Sequence, residues 1–232
     1  MLNINKWYSL LAASLLYFIY TCRTVLFEGV RFLDYVNLIV NFGLILLLSI
    51  WLISKSTVTN RIEQFISFFL VLYLYVLHSL VTSVYIPYYF TQKYLGNHFV
   101  HVDQINLIPF KTIFSDLFVI AVPVTILQTL GNLLLLSPLA FALLSLGVIG
   151  KKYKVILVTF LTSLFIEIFQ FFVNYSVSGY EYGYEGPHAV DIDDLILNTT
   201  GGVIGVLFFM IYKKMFMKKF KTFTRQKINY FS

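Results

Sequence analysis

The stretch that decides the fold is HAVDIDDLILNTTGGVIG, residues 188–205. To its right, the chain from Leu195 to Tyr212 is almost wholly apolar or small, as a helix crossing a bilayer requires. To its left stand Asp191, Asp193 and Asp194, with Asn198 one turn deeper. Asp191, Asp194, Asn198, Gly201 or Gly202, and Gly205 recur at the spacing of a single helix face. An apolar helix with such a stripe must turn it toward something other than lipid.

The rest of the chain has the same character. Its 232 residues are 59% hydrophobic and 12% charged, with a mean hydropathy of +0.80. Soluble domains carry about 25% charged residues, so half that fraction together with long apolar runs points to the membrane. A span needs about 20 mostly apolar residues, and six segments qualify: Trp7–Phe27, Tyr35–Ile53, Phe65–Tyr89, Leu117–Ile149, Val155–Tyr175 and Val190–Tyr212. The fourth is too long for one straight crossing. Pro123 and Pro138 divide it into a short entry segment and a kinked helix. The expected fold is therefore an all-α, polytopic membrane bundle of about six transmembrane helices. Its divisions are two N-terminal helices over 1–64, a four-helix membrane domain over 65–212 and a basic tail over 213–232.

Charge fixes the expected orientation. Alternating spans put thirteen of the 17 cations on one side: Lys6, Lys55, Arg61, Lys151, Lys152, Lys154 and the seven of the tail, from Lys213 to Lys227. The positive-inside rule makes that side, and both termini, cytoplasmic. Nine of the 11 acids then fall outside, only Glu63 inside, and Glu167 within a span. The net charge of +6 is thus a topology signal that also attracts anionic headgroups, and no nucleic-acid partner is expected. The first span has no small-x-small cleavage site behind it and is expected to be a retained helix. Cys22 is the only cysteine, so no internal disulfide and no cysteine-rich zinc site can form.

Each of spans three to six carries a polar stripe. Ser163, Glu167, Gln170 and Asn174 share a face of the fifth, Tyr75, His78, Thr82 and Tyr85 a face of the third, and Gln128 and Asn132 lie four apart in the fourth. A charge at the centre of a membrane helix costs about 2.5–3.5 kcal/mol on insertion scales. Glu167, about twelve residues into its span, escapes that cost by facing a wet cavity, pairing with a cation, binding a metal or staying protonated. Convergence of Glu167 with Asp191 and Asp194 calls for something cationic between them: Arg23, Lys111, His188, a divalent cation or a substrate amine. An outward-open polar pocket walled by spans three to six is expected. Duller readings stand beside it. Carboxylates at a helix N-terminus cap free N–H groups, above all Asp193, and Gly201-x-x-x-Gly205 is a helix-packing motif. His78, Gln128 and Asn132 are the kind of residue that bonds one helix to another.

Taken together, these motifs resemble those of the VanZ-like membrane protein family. Asn106-Leu107-Ile108-Pro109-Phe110 is similar to its N-L-x-P-F, Gly131-Asn132 with Pro138 to its G-N…P helix, and Glu167-x-x-Gln170 to its E-x-x-Q. Asp191-Ile192-Asp193-Asp194, Asn198 and Gly201, Gly202 and Gly205 are similar to its D-x-D-D-x-x-x-N-x-x-G. The resemblance spans roughly 66–210. Where the family commonly has an arginine, this chain has His188, which titrates near pH 6.5 unless perturbed.

The resemblance implies a multi-pass protein of the bacterial cytoplasmic membrane. Its biological neighbourhood is cell-envelope physiology and resistance to teicoplanin, a lipoglycopeptide directed at cell-wall precursors. It does not imply a reaction. Candidate pocket residues are Glu167, Asp191 and Asp194 as an acidic centre, with Gln170, Asn198, Asn106 and Asn132 around it. Pro109 fixes the outer loop, and His78 and His188 rank second. The leading expectation is a non-enzymatic protein that binds a lipid-linked envelope component among the membrane lipids. The alternative is an intramembrane enzyme using Glu167 as general acid or base and a divalent cation on Asp191, Asp194 and Glu167. No nucleophile motif of the HExxH or GxSxG kind accompanies it. A small transporter or flippase is the third reading.

Overall fold

The computed structural model describes residues 5–26, 31–96, 105–181 and 190–217. These form α1 (Trp7–Leu26), α2 (Phe32–Lys55), α3 (Arg61–Val81), α4 (Ile86–Thr91), β1 (Ile105–Asn106), α5 (Lys111–Phe114), α6 (Pro123–Leu135), α7 (Ser137–Ser145), α8 (Lys152–Val177), β2 (Val190–Asp191) and α9 (Ile192–Tyr212). π-Helical segments follow α5 (Ser115–Ile120) and α9 (Lys213–Met217). Five helical stretches are long and apolar enough to cross a membrane: Phe32–Lys55, Arg61–Thr91, Pro123–Ser145, Lys152–Val177 and Ile192–Phe216. The twenty-residue α1, with Ser9, Ser14, Thr21 and Arg23 along it, is not among them. It packs on α2 and α3 and buries Leu10 and Ala13 there.

Helix ends that carry cations lie together. Lys6 Nζ donates to the carbonyls of Ser54 and Ser56 at 2.7 and 3.0 Å, where α2 leaves its C-terminal carbonyls free. The next residue, Thr57, bonds the carbonyl of Leu146 just past α7 through both N–H (2.8 Å) and Oγ1 (3.0 Å). At the opposite end, the stretch between α4 and α5 is stitched to the stretch between α8 and α9. β1 pairs with β2 in parallel, Ile105 beside Val190 and Asn106 beside Asp191, and Leu95 N–H donates to Gly179 O at 2.8 Å. Two-residue strands leave no periodicity in a sequence, and the glycines of this region argue against regular structure.

The long fourth segment divides at its prolines. Pro123 and Pro138 each stand in the first turn of their helix, α6 and α7, where a missing N–H costs nothing. Leu136, between the two helices, has a non-helical ψ of 2°. The break frees the Leu135 carbonyl, which accepts the Tyr73 hydroxyl of α3 at 2.6 Å. Into this kink α9 presses its glycines. A Cβ on Gly201 would collide with the Leu133 carbonyl, one on Gly205 with the Ser137 carbonyl, and one on Gly202 with the Thr159 side chain of α8. Glycine therefore sets how closely α9 approaches α6, α7 and α8. Of the expected tail, Lys213–Met217 continues α9, and Lys218 to Ser232 lie outside the described residues.

Candidate functional site: an acidic cavity among α3, α5, α6, α8 and α9

The polar stripe of α8 turns inward. Ser163, Glu167, Gln170 and Asn174 are all buried, on the face that packs against α9. In α9, Asn198, Gly201, Gly202 and Gly205 form the buried face. Between these helices and α6 lies a cavity of about 650 Å³. Glu167 and Gln170 line it from α8, Asp193, Asp194 and Asn198 from α9, with Asp191 just before that helix. Gln128, Thr129, Gly131 and Asn132 come from α6, and Thr112, Ile113 and Asp116 from α5 and the π-helical turn behind it. Leu80 and Val81 of α3, with Leu135, Ile166 and Leu197, supply apolar surface.

Neighbouring carboxylates are committed differently. Asp193 is 0% exposed. One of its oxygens accepts the Phe110 N–H, and the other accepts those of Thr112 at 2.7 Å and Ile113 at 3.1 Å. It thereby satisfies the first turn of α5, which has no side-chain cap of its own. Phe110 stands in the left-handed region (φ 66°) directly after Pro109, the turn that brings these N–H groups to one carboxylate. Asp191 is the N-cap of α9: its Oδ1 accepts Asp193 N–H at 2.8 Å and also Asn106 Nδ2 at 2.7 Å. The capping role expected of Asp193 on its own helix thus belongs to Asp191, and Asp193 caps the incoming α5.

The remaining carboxylates are less occupied. Glu167 Oε2 accepts the Asp191 N–H at 3.0 Å, tying mid-α8 to the start of α9. Asp194 Oδ1 accepts from Asn132 Nδ2. Asp116 Oδ2 accepts from Thr129 Oγ1 at 3.3 Å. Asn198, 2% exposed, donates to Ser163 Oγ at 3.1 Å, while its Oδ1 receives no hydrogen bond.

Of the residues singled out in the sequence, Glu167, Gln170, Asp191, Asp194, Asn198 and Asn132 line this one cavity. Asn106 reaches it through Asp191, and Pro109 is exposed and acts only through the turn it makes. His78 does not belong here. It lines a second cavity of about 260 Å³ with Tyr17, Asn37, Asn41, Phe42 and Tyr75. A stripe reveals a helix face but not the neighbour it meets, and that of α3 turns toward α1 and α2. His188 lies outside the described residues. Arg23 and Lys111 do not line the cavity, and no described lining residue is Lys, Arg or His. No three His, Cys, Asp or Glu side chains among the described residues are arranged to hold a metal ion, Asp191, Asp194 and Glu167 included. Sequence reasoning missed Asp116, Thr112 and Thr129. The first two sit in short turns without periodicity, where only the proximity of Asn106-x-x-Pro109 gave a signal.

A bundle of apolar helices that gathers Asp116, Glu167, Asp191, Asp193 and Asp194 around one interior cavity has the architecture of a multi-helix membrane protein. The chain matches the family model described as VanZ/LLP1 over residues 68–213, and it belongs to that family. No curated protein and no solved structure shows a match to it. The matched region begins within α3 and contains every described wall of the acidic cavity, leaving α1 and α2 outside.

Proposed function

We propose that this chain is a multi-pass protein of the bacterial cytoplasmic membrane that binds a lipid-linked envelope component in an outward-facing cavity. Through that binding it would act in envelope physiology or resistance to lipoglycopeptides such as teicoplanin. The observation that carries the reading is one interior cavity lined by Glu167, Gln170, Asn132, Asp191, Asp194 and Asn198. Buried amides and carboxylates of this kind are costly in a membrane and accumulate where a polar ligand enters. The clustering of Lys6 with the α2 terminus, at the end of the bundle away from β1 and β2, supports placing the cavity mouth outside. Phe110, Phe114 and Phe118 stay exposed on the segment that also carries Thr112 and Asp116, which suits a ligand arriving from the lipid.

The test is complementation of a deletion strain with the wild type, Glu167→Gln and Asp194→Asn, scored for teicoplanin susceptibility beside vancomycin. Restoration by the wild type and failure of both variants at equal protein level is the expected result. Full restoration by both variants would dismiss the cavity from the function.

A further inference from the structure

The acidic cavity holds many more hydrogen-bond acceptors than donors, and the imbalance describes its ligand. A carboxylate offers about four lone-pair sites and no donor, and even when protonated a carboxyl has one donor and more acceptor sites than that. Asp193 is saturated by three N–H groups, and Asp191 accepts two donors on a single oxygen. Glu167, Asp194 and Asp116 each accept only one from the described residues. No lysine, arginine or histidine among the described lining residues answers them.

Asn198 is an independent sign of the same deficit. It is a lining residue 98% removed from solvent, and its carbonyl oxygen lacks any donor. An unmet acceptor at that depth costs about 1–3 kcal/mol, and because its Oδ1 is closed to solvent, a ligand's donor relieves that cost by drawing the side chain toward the cavity it lines.

Two further observations narrow the chemistry. No three described carboxylate, histidine or cysteine groups are arranged around a metal point, so the complementary charge is better spread over several N–H bonds than held on a bare ion. The described lining residues include no phenylalanine, tyrosine or tryptophan, whereas a quaternary ammonium calls for an aromatic cage. A primary ammonium meets both conditions, with one positive charge and three donors.

We propose that this cavity is a receptor for a primary ammonium group, carried on the headgroup of a membrane lipid. The lipid source rests on the function proposed above; the ammonium chemistry rests on the cavity itself.

The experiment is native mass spectrometry of the full chain in neutral detergent, titrated with phosphatidylethanolamine, phosphatidylcholine, phosphatidylglycerol and soluble glycerophosphoethanolamine. The first three distinguish –NH₃⁺, trimethylammonium and no cation; the last presents the same ammonium without acyl chains. Phosphatidylethanolamine should bind about tenfold or more tightly than the other two lipids, as a charge-assisted contact implies. Glu167→Gln or Asp194→Asn should abolish that preference in protein whose thermal unfolding shows it is folded. Equal binding of the three lipids by the wild type overturns the inference with no variant needed, and a preference that survives both variants overturns it equally. Equal lipid binding that both variants weaken defeats the ammonium and leaves the lipid reading standing. Glycerophosphoethanolamine binding as tightly as phosphatidylethanolamine keeps the ammonium and defeats the lipid.

Discussion

Two polar cavities among the described residues treat their polar groups in opposite ways. In the one beside α1 and α2, the groups satisfy each other. His78 Nε2 lies 2.9 Å from Asn41 Oδ1, and its Nδ1 lies 2.8 Å from Thr82 Oγ1. Asn41 Nδ2 donates to the carbonyls of Asn37 and Val84, and Asn37 Oδ1 accepts the Ile86 N–H at 3.0 Å. Tyr75 lies stacked between Tyr17 and Phe42, with centroids 4.5 and 5.1 Å away. This network splices the start of α4 to α2 and gives both ring nitrogens of His78 a partner. Among the described residues, the acidic cavity leaves Asn198 Oδ1 without a donor and gives Glu167, Asp194 and Asp116 one donor each. Polarity inside a membrane bundle therefore does not by itself mark a site, and the site proposed above rests on the unbalanced donors and acceptors of the acidic cavity.

The comparison can be broken most severely at Asp193. Replacing it by asparagine turns one acceptor oxygen into a donor facing N–H groups that are already donors. We expect a loss of about 3–5 kcal/mol, read as a collapse of the unfolding midpoint in detergent, because this carboxylate belongs with the self-satisfied structure despite lining the acidic cavity. Next comes Gly205→Ala, whose methyl meets the Ser137 carbonyl and the Ala140 side chain. Overpacking there should cost about 1–3 kcal/mol and weaken ligand binding as α9 is displaced. His78→Ala should cost about 1–2 kcal/mol through two lost hydrogen bonds, with the lipid preference of the acidic cavity unchanged. Asp194→Asn should have the smallest effect on the fold. It keeps an oxygen for Asn132 and removes one of several neighbouring acids, so the unfolding midpoint should stay level or rise while the preference for phosphatidylethanolamine disappears. The same substitution at adjacent residues thus distinguishes an acid that builds the structure from an acid that serves the ligand.

The residues explain how much of this was legible beforehand. The stripe on α8 was readable because a long helix converts burial into a period, and Ser163, Glu167, Gln170 and Asn174 are buried as that period requires. The division of the fourth segment was readable from Pro123 and Pro138, because proline acts locally. The destination of the α3 stripe was not readable. His78 has the spacing of a residue facing the other stripes, and only the packing of α3 against α1 and α2 decides otherwise. Asp116 escaped because a π-helical turn has no sequence period, and the β1–β2 pairing because two residues are too few to show one. The separate duties of Asp191, Asp193 and Asp194 depend on a loop eighty residues away in the chain, a distance over which sequence spacing is silent.

One helix carries both the glycine wedge and acids of the cavity. The glycines that seat α9 in the kink lie a turn beyond Asn198 and two beyond Asp194 on the same face. An inserted residue between them would swing the acids by about 100° and advance them by about 1.5 Å relative to the glycines. The length of α9 is consequently frozen against insertions and deletions in descendants of this gene, however freely its lipid-facing side chains drift. In α2, where few residues are buried, the same genetic accident would be survivable.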